Sequence, residues 1–163
     1  MEFDDIFLSC HDLDIFFTKV DNNDTIPVHC ATFESSLPEN LNDDEYYYNC
    51  IEMVFGAPFL LSEEDIEIEW ENVRQILGEN LQPDLLTNEE RETHYIRTFK
   101  SMAMKGFWSY DRWHEPHTDV SGDEDKRFIL IAHPKKRISW PIQRLRKCNE
   151  LILLNHPPKD DNV

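Results

Sequence analysis

The chain has 163 residues, and its 40% hydrophobic content, with ten Phe, five Tyr and four Trp, suffices for one core but not comfortably for two domains. Its 33 acidic and 16 basic side chains give a net charge of −17. Such a charge repels nucleic acid and anionic membranes, so it argues against a protein that binds either of them directly.

The excess of negative charge is confined to the first part of the chain. Residues 1–92 contain 24 acidic and 3 basic side chains, whereas residues 93–163 contain 9 acidic and 13 basic ones. A concentrated negative field attracts cationic surfaces and accelerates encounters with them in a salt-dependent way. We therefore expect the partner to be a basic protein. The sequence leaves the oligomeric state open.

The cellular location and the state of the cysteines are predicted from sequence features that the chain lacks. No stretch approaches the roughly 20 apolar residues that a membrane span needs, and the start has neither the basic region nor the apolar run of a secretory signal. We expect a cytoplasmic protein with one domain at residues 1–155 and a flexible tail at 156–163. Because its four cysteines include no CxxC pair, we expect thiols rather than disulfides.

The first predicted elements are a hairpin and a helix. Residues 13–20 and 26–33 are rich in β-branched and aromatic side chains and flank the turn-prone residues 21–24, which favours a β-hairpin. A helix is expected at 46–55, where Tyr47, Ile51 and Phe55 recur at spacings of four before Gly56.

Two further helices are predicted from their end signals. Ser62 followed by three acidic residues is typical of a helix start, and an apolar stripe then runs to Gly78; residues 66–70 also alternate like a strand, but the helix is preferred. Thr87 and Glu90 form a capping box before a helix that ends near Gly106.

The last part of the chain favours strands. Residues 107–110 and 128–132 flank a polar loop and are expected to pair as antiparallel neighbours, followed by a basic helix at 140–148 and a strand at 151–154. The predicted fold is a single α+β domain in which an antiparallel sheet packs with two to four helices.

Acidic residues in two segments are the predicted partner-binding site. Like charges at helical spacing destabilise a helix, so their accumulation favours a partner that neutralises them over a merely solvated face. The residues are Asp43, Asp44, Glu45, Glu63, Glu64, Asp65, Glu67, Glu69 and Glu71.

Histidines and cysteines offer weaker candidates for a metal. His114, His117 and Asp119 lie within six residues, but Pro116 opposes a regular helix and a polar loop explains them equally well. Zinc could also be held by two Cys/His pairs, although neighbouring residues of a strand point to opposite faces. The pairs are Cys10 with His11 and His29 with Cys30. We assign no catalytic residue, metal or cofactor.

Six basic residues near the end of the chain have three possible roles. They could neutralise the chain's own acidic surface, an acidic second subunit or a phosphate, and the first is preferred. They are Lys135, Lys136, Arg137, Arg144, Arg146 and Lys147.

The segments at residues 106–112 and 128–134, together with the small size and acidity, resemble immunity proteins of bacterial polymorphic toxin and contact-dependent growth inhibition systems. The resemblance implies a basic toxin partner, commonly a nuclease domain, that is bound and neutralised stoichiometrically. It assigns no residue. The alternatives are a nucleic-acid mimic that inhibits DNA-binding proteins and a metal-dependent enzyme built on the loop with His114.

Overall fold

The computed structural model describes residues 1–33, 35–78, 88–113, 127–138 and 144–157. Within them lie four helices, α1 Asp5–Cys10, α2 Asp44–Phe55, α3 Trp70–Leu77 and α4 Asn88–Met104. Six strands accompany them, β1 Asp14–Asp21, β2 Asp24–Ala31, β3 Ile66–Ile68, β4 Trp108–Arg112, β5 Arg127–Pro134 and β6 Ile152–Leu154. Short 3₁₀ helices occupy Glu39–Leu41 and Glu63–Asp65. The predicted α+β class is confirmed.

The sheet is mixed, so the prediction of a purely antiparallel sheet is wrong. Its strand order is β1-β2-β4-β5-β3, and β6 pairs with the same side of β5 as β3 does. The pairs β2/β4 and β5/β6 are parallel, and the other three are antiparallel. Parallel neighbours need a long crossover, and α2, α3 and α4 all lie between β2 and β4 in the chain.

The predicted N-terminal hairpin is confirmed. β1 and β2 pair antiparallel from Asp14 with Ala31 to Asp21 with Asp24. Asn22 and Asn23 both have positive φ, 49° and 70°, as the two central residues of a type I′ turn require. Asparagine tolerates this left-handed conformation better than most residues, so the turn sets the register of the pair.

α2 is also confirmed, but its buried face differs from the predicted stripe. Asp43 caps the helix by accepting hydrogen bonds from the backbone N–H groups of Glu45 and Tyr46. The buried side chains of α2 are Cys50 and Val54. Phe55, expected in the core, is 51% exposed.

The helix predicted from Ser62 to Gly78 is wrong in its first half. Ser62 does form a capping box with Asp65, but the helix lasts a single 3₁₀ turn. The alternating residues then form strand β3, in which Ile66 and Ile68 are the register partners of Pro134 and Ala132 on β5. Pairing with β5 satisfies the backbone N–H and C=O groups of this segment. A helix would also satisfy them, but it would bring like-charged carboxylates together at helical spacing, and their repulsion would destabilise it. α3 follows and ends at Gly78, whose φ is 65°.

The remaining predictions have mixed outcomes. α4 is confirmed, although Thr87 lies outside the described residues, and β4 and β5 pair antiparallel as expected. Of the helix predicted at 140–148, residues 140–143 lie outside the description, while Lys147 forms a parallel bridge with Thr18 instead of a helical turn. The final strand is confirmed as β6. Most of the predicted tail, 158–163, also lies outside the description.

Successive side chains of β5 point to opposite faces of the sheet and pack into two separate parts of the hydrophobic core. On one face, Ile129 and Ile131 pack with residues of α3 and α4, including Val73 and Phe99. On the other face, Phe128 and Leu130 join a cluster that includes Leu8 of α1 and Phe17 of β1. Burial of each large side chain of this kind stabilises the fold by about 1.5–3 kcal/mol. The sheet is therefore the rigid frame that positions the surface helices.

Candidate partner-binding surfaces

The predicted acidic residues occupy two separate surfaces. Asp43 forms an ion pair with Arg146 (Oδ2 to Nη2, 2.8 Å), and the Arg146 carbonyl accepts a hydrogen bond from Thr18 of β1. The residues from Glu63 to Glu71 flank and include β3, which stands at the other end of the strand path. Along the sheet, the strands β2, β4 and β5 lie between β1 and β3. The two segments therefore form two surfaces.

Several carboxylates of the surface beside β3 form ion pairs or hydrogen bonds with other residues of the chain. Glu63 Oε1 lies 2.6 Å from Lys100 Nζ, and Glu69 Oε1 lies 3.0 Å from His133 Nε2. Asp65 accepts hydrogen bonds from the backbone and hydroxyl of Ser62, which lower its pKa.

Three exposed carboxylates of the β3 surface project to solvent. Glu67 is 3.9 Å from His133 Nε2, and its side chain is 57% exposed. Glu64 and Glu71 are exposed and have no side-chain partner in the part of the chain that the structure describes. Glu64 and Glu71 are therefore available to a partner, whereas Glu67 is exposed but also within ion-pair distance of His133.

The second surface joins α1 to the start of α2. The amino group of Met1 lies 3.1 Å from Asp44 Oδ1, and Asn42 exchanges two hydrogen bonds with the backbone of Phe3. The Phe3 ring stacks on Phe7 at 4.7 Å and meets Tyr47 edge-on at 5.5 Å. These contacts hold α1 against α2.

Apolar and acidic side chains are exposed together on these two helices. Ile6 of α1 is 77% exposed and Tyr48 of α2 is 56% exposed. The surrounding sequence of both helix starts is acidic. We call this the α1–α2 surface, and its exposed members are Glu2, Asp4, Asp5, Ile6, Glu45 and Tyr48.

The sequence analysis missed α1, although the chain carries its signals. Asp4 caps the helix by accepting a hydrogen bond from the backbone N–H of Phe7 at 2.7 Å. Phe3, Phe7 and His11 recur at spacings of four, and the His11 ring stacks on Phe7 at 3.9 Å. A cap followed by this period is a helix signature, obscured here because the helix has only six residues.

Two of the six C-terminal cations pair with carboxylates among the described residues, which is the role that the sequence analysis preferred. Arg137 pairs with Asp24, and the guanidinium of Arg146, besides pairing with Asp43, lies 4.4 Å from the centre of the Tyr46 ring. Lys135 Nζ donates to the carbonyl of Glu64 at 3.0 Å. Arg146 also holds the pKa of Asp43 below its usual value through their hydrogen bond.

The candidate metal ligands do not converge where they are described. Cys10 and His11 are exposed at the end of α1, whereas His29 and Cys30 are buried in β2. Within the described residues, no three His, Cys, Asp or Glu side chains are grouped so as to hold a metal. His114, His117 and Asp119 lie outside the described residues.

Asp14, His29 and Ser109 form a hydrogen-bonded chain across β1, β2 and β4. His29 Nε2 lies 2.7 Å from Asp14 Oδ1, and His29 Nδ1 lies 2.7 Å from Ser109 Oγ. These are the residue types of a serine hydrolase triad, but Ser109 is 0% exposed and no substrate can reach its hydroxyl. These hydrogen bonds therefore serve to satisfy buried polar groups.

Every helix within the described residues is too short or too polar to traverse a lipid bilayer. No protein-family model, curated protein or solved structure matches this chain.

Proposed function

We propose that this protein is an immunity protein, which binds a basic toxin domain of the nuclease class stoichiometrically and thereby neutralises it. The observation that carries the proposal is the α1–α2 surface, where exposed Ile6 and Tyr48 accompany exposed carboxylates. Nuclease domains use lysine and arginine to hold phosphate, and carboxylates bind the same groups. The resemblance of the sequence to immunity proteins and its charge of −17 point to the same class of partner.

The α1–α2 surface supports tight binding better than the β3 surface does. On the β3 surface, Lys100 and His133 already engage Glu63 and Glu69, so a partner's cations would compete with internal pairs. The α1–α2 surface adds large apolar groups to its charges. Apolar and aromatic contacts at the centre of an interface slow dissociation, while charges mainly accelerate association. Glu64, Glu67 and Glu71 would then steer the partner from a distance.

The test compares two triple charge reversals that change the net charge equally. One variant carries Glu2→Lys, Asp5→Lys and Glu45→Lys on the α1–α2 surface and keeps the caps Asp4 and Asp43. The matched control carries Glu64→Lys, Glu67→Lys and Glu71→Lys. The purified proteins are used to capture partners from the source cell lysate at low and moderate salt, and the retained proteins are identified by mass spectrometry.

The expected result is one basic, nuclease-like protein held in stoichiometric amount by the wild type and the control but not by the α1–α2 variant. The captured protein should lose its nuclease activity when the wild-type chain is added back. Retention of that protein by all three chains would place the contact elsewhere. Retention of many unrelated DNA-binding proteins would favour a nucleic-acid mimic and contradict the immunity proposal.

A further inference from the structure

A cleft of about 430 Å³ lies between α4 and the end of α2. One wall is a face of α4, on which cationic and hydroxyl side chains recur at helical spacing, and two phenyl rings line the other wall. The lining includes His94, Arg97 and Ser101 on α4, Lys105 directly after α4, and Phe55 and Phe59 opposite. The volume is within the range of small-molecule sites in proteins.

Lys105 is the most confined cation of the cleft. Its Nζ donates to the carbonyl of Val54 at 2.9 Å and lies 5.8 Å and 5.5 Å from the ring centres of Phe55 and Phe59. Burial lowers its pKa, because the ammonium loses hydration. The ammonium thus adds a second hydrogen bond to a carbonyl at the end of α2 that also accepts from the backbone N–H of Ala57 at 3.2 Å, and it retains further donors for another acceptor.

The cleft is locally basic in a strongly acidic chain. Its described lining contains three cationic or potentially cationic side chains and neither Asp nor Glu. In the part of the chain that the structure describes, no carboxylate forms an ion pair with His94, Arg97 or Lys105. Exposed Phe55 and Phe59 add apolar area at the same place. An unneutralised group of cations beside exposed rings matches a ligand that is both anionic and aromatic.

We propose that this cleft binds a small aromatic anion, with its planar body against Phe55 and Phe59 and its phosphate or carboxylate on Arg97 and Lys105. The proposal goes beyond the immunity function and uses a different surface. α2 has 12 residues and is therefore about 18 Å long, and the α1–α2 surface lies at its other end. The two sites can be tested separately.

The experiment measures binding by isothermal titration calorimetry with three probes. Adenosine monophosphate supplies a phosphate, indole-3-acetate supplies a carboxylate, and adenosine is the uncharged counterpart. We expect at least one anion to bind with a one-to-one stoichiometry and about tenfold more tightly than adenosine. The stronger anion identifies the phosphate or the carboxylate as the preferred group. Failure of both anions to bind, or equal binding of adenosine monophosphate and adenosine with no binding of indole-3-acetate, would overturn the proposal.

Two substitutions locate the site. Arg97→Gln removes an exposed cation from the cleft and should weaken the better anion by about threefold to fivefold, whereas Lys136→Gln removes an exposed cation elsewhere and should change nothing. Phe59→Ala should weaken the same probe through lost stacking. If Arg97→Gln and Lys136→Gln bind alike, the cleft is not the site. The triple reversal at Glu2, Asp5 and Glu45 should bind the probe normally, so failure of the immunity function would not affect this result.

Discussion

His29 on β2 and Asp14 on β1 meet across the diagonal of the N-terminal hairpin, with 2.7 Å between Nε2 and Oδ1. A carboxylate oxygen only accepts hydrogen bonds, so Nε2 donates to Asp14. The other ring nitrogen meets the hydroxyl of Ser109, the register partner of His29 on β4. Both ring nitrogens of a fully buried imidazole are thereby satisfied, and three strands are joined by side chains as well as backbone.

Removal of the Ser109 hydroxyl should destabilise the fold, and the hydroxyl itself should be unreactive in the folded protein. Ser109→Ala leaves His29 Nδ1 buried without its partner, and we expect a loss of about 1–3 kcal/mol in the free energy of unfolding, measured in urea. The exposed Ser36→Ala is the control and should be neutral. A fluorophosphonate probe should not label Ser109 in the folded wild type. Labelling there would show that the hydroxyl is reachable and reopen a catalytic role.

The partly buried carboxyl of Asp111 should make stability fall as pH rises. Burial raises its pKa, although hydrogen bonds from the Tyr95 hydroxyl and the Arg112 backbone N–H oppose the shift. The folded state therefore holds the proton more tightly than the unfolded state, and this contribution, full below about pH 4, is lost as pH rises through the folded pKa.

Asp111→Asn keeps an acceptor for Tyr95 and removes the charge, so its stability should decline less than that of the wild type between pH 4 and pH 7. Urea unfolding at pH 4, 5, 6 and 7 measures the difference. Asp111→Leu is the contrasting variant, because it leaves the partly buried Tyr95 hydroxyl without its acceptor and should destabilise at every pH. Parallel pH profiles for the wild type and Asp111→Asn would contradict the assignment.

Asp43 should contribute the opposite pH dependence. Its hydrogen bonds with Arg146 and with the backbone of α2 lower its pKa. The stabilisation is therefore present above about pH 4 and is lost as pH falls through the lower folded pKa.

Substitution separates the cap of Asp43 from its ion pair. Asp43→Asn retains a good helix cap and loses the charge, whereas Asp43→Ala loses both, so Tm near neutral pH should decrease in the order wild type, Asn, Ala. Asp43→Asn should also lose less stability than the wild type on acidification. Thermal unfolding followed by circular dichroism at pH 3 and pH 7 measures both effects. Equal Tm values for the two variants would show that the cap is unimportant.

The four cysteines should react in two classes. Cys10 is exposed at the end of α1, whereas Cys30, Cys50 and Cys148 are buried. Burial raises the pKa of each of the three buried thiols, because the thiolate loses hydration. Ellman's reagent should therefore titrate one thiol quickly in the native protein and four in denaturant, and Cys10→Ser should abolish the fast reaction. A fast-reacting thiol that persists in the Cys10→Ser variant would contradict the burial of the other three cysteines.

Local sequence signals determined several elements of this protein by themselves. Asn22 and Asn23 form the two-residue loop of the hairpin, and Asp43 caps the start of α2. Such turn and cap preferences depend on residues only a few positions apart. The α+β class and the antiparallel β4/β5 pair likewise follow from hydrophobic periodicity. Charge along the chain is also a property of the sequence alone, and the expectation of a basic partner derives from it.

Tertiary structure decided what depends on distant neighbours. Residues 66–68 carry both a helical and a strand pattern, and the open edge of β5 selected the strand by pairing with its backbone. The separation of the acidic residues into two surfaces depends on strand order, and their pairing with Lys100, His133 and Arg146 depends on packing between segments far apart in sequence. Such long-range contacts leave no periodic signal in either segment, because each segment carries only half of the interaction.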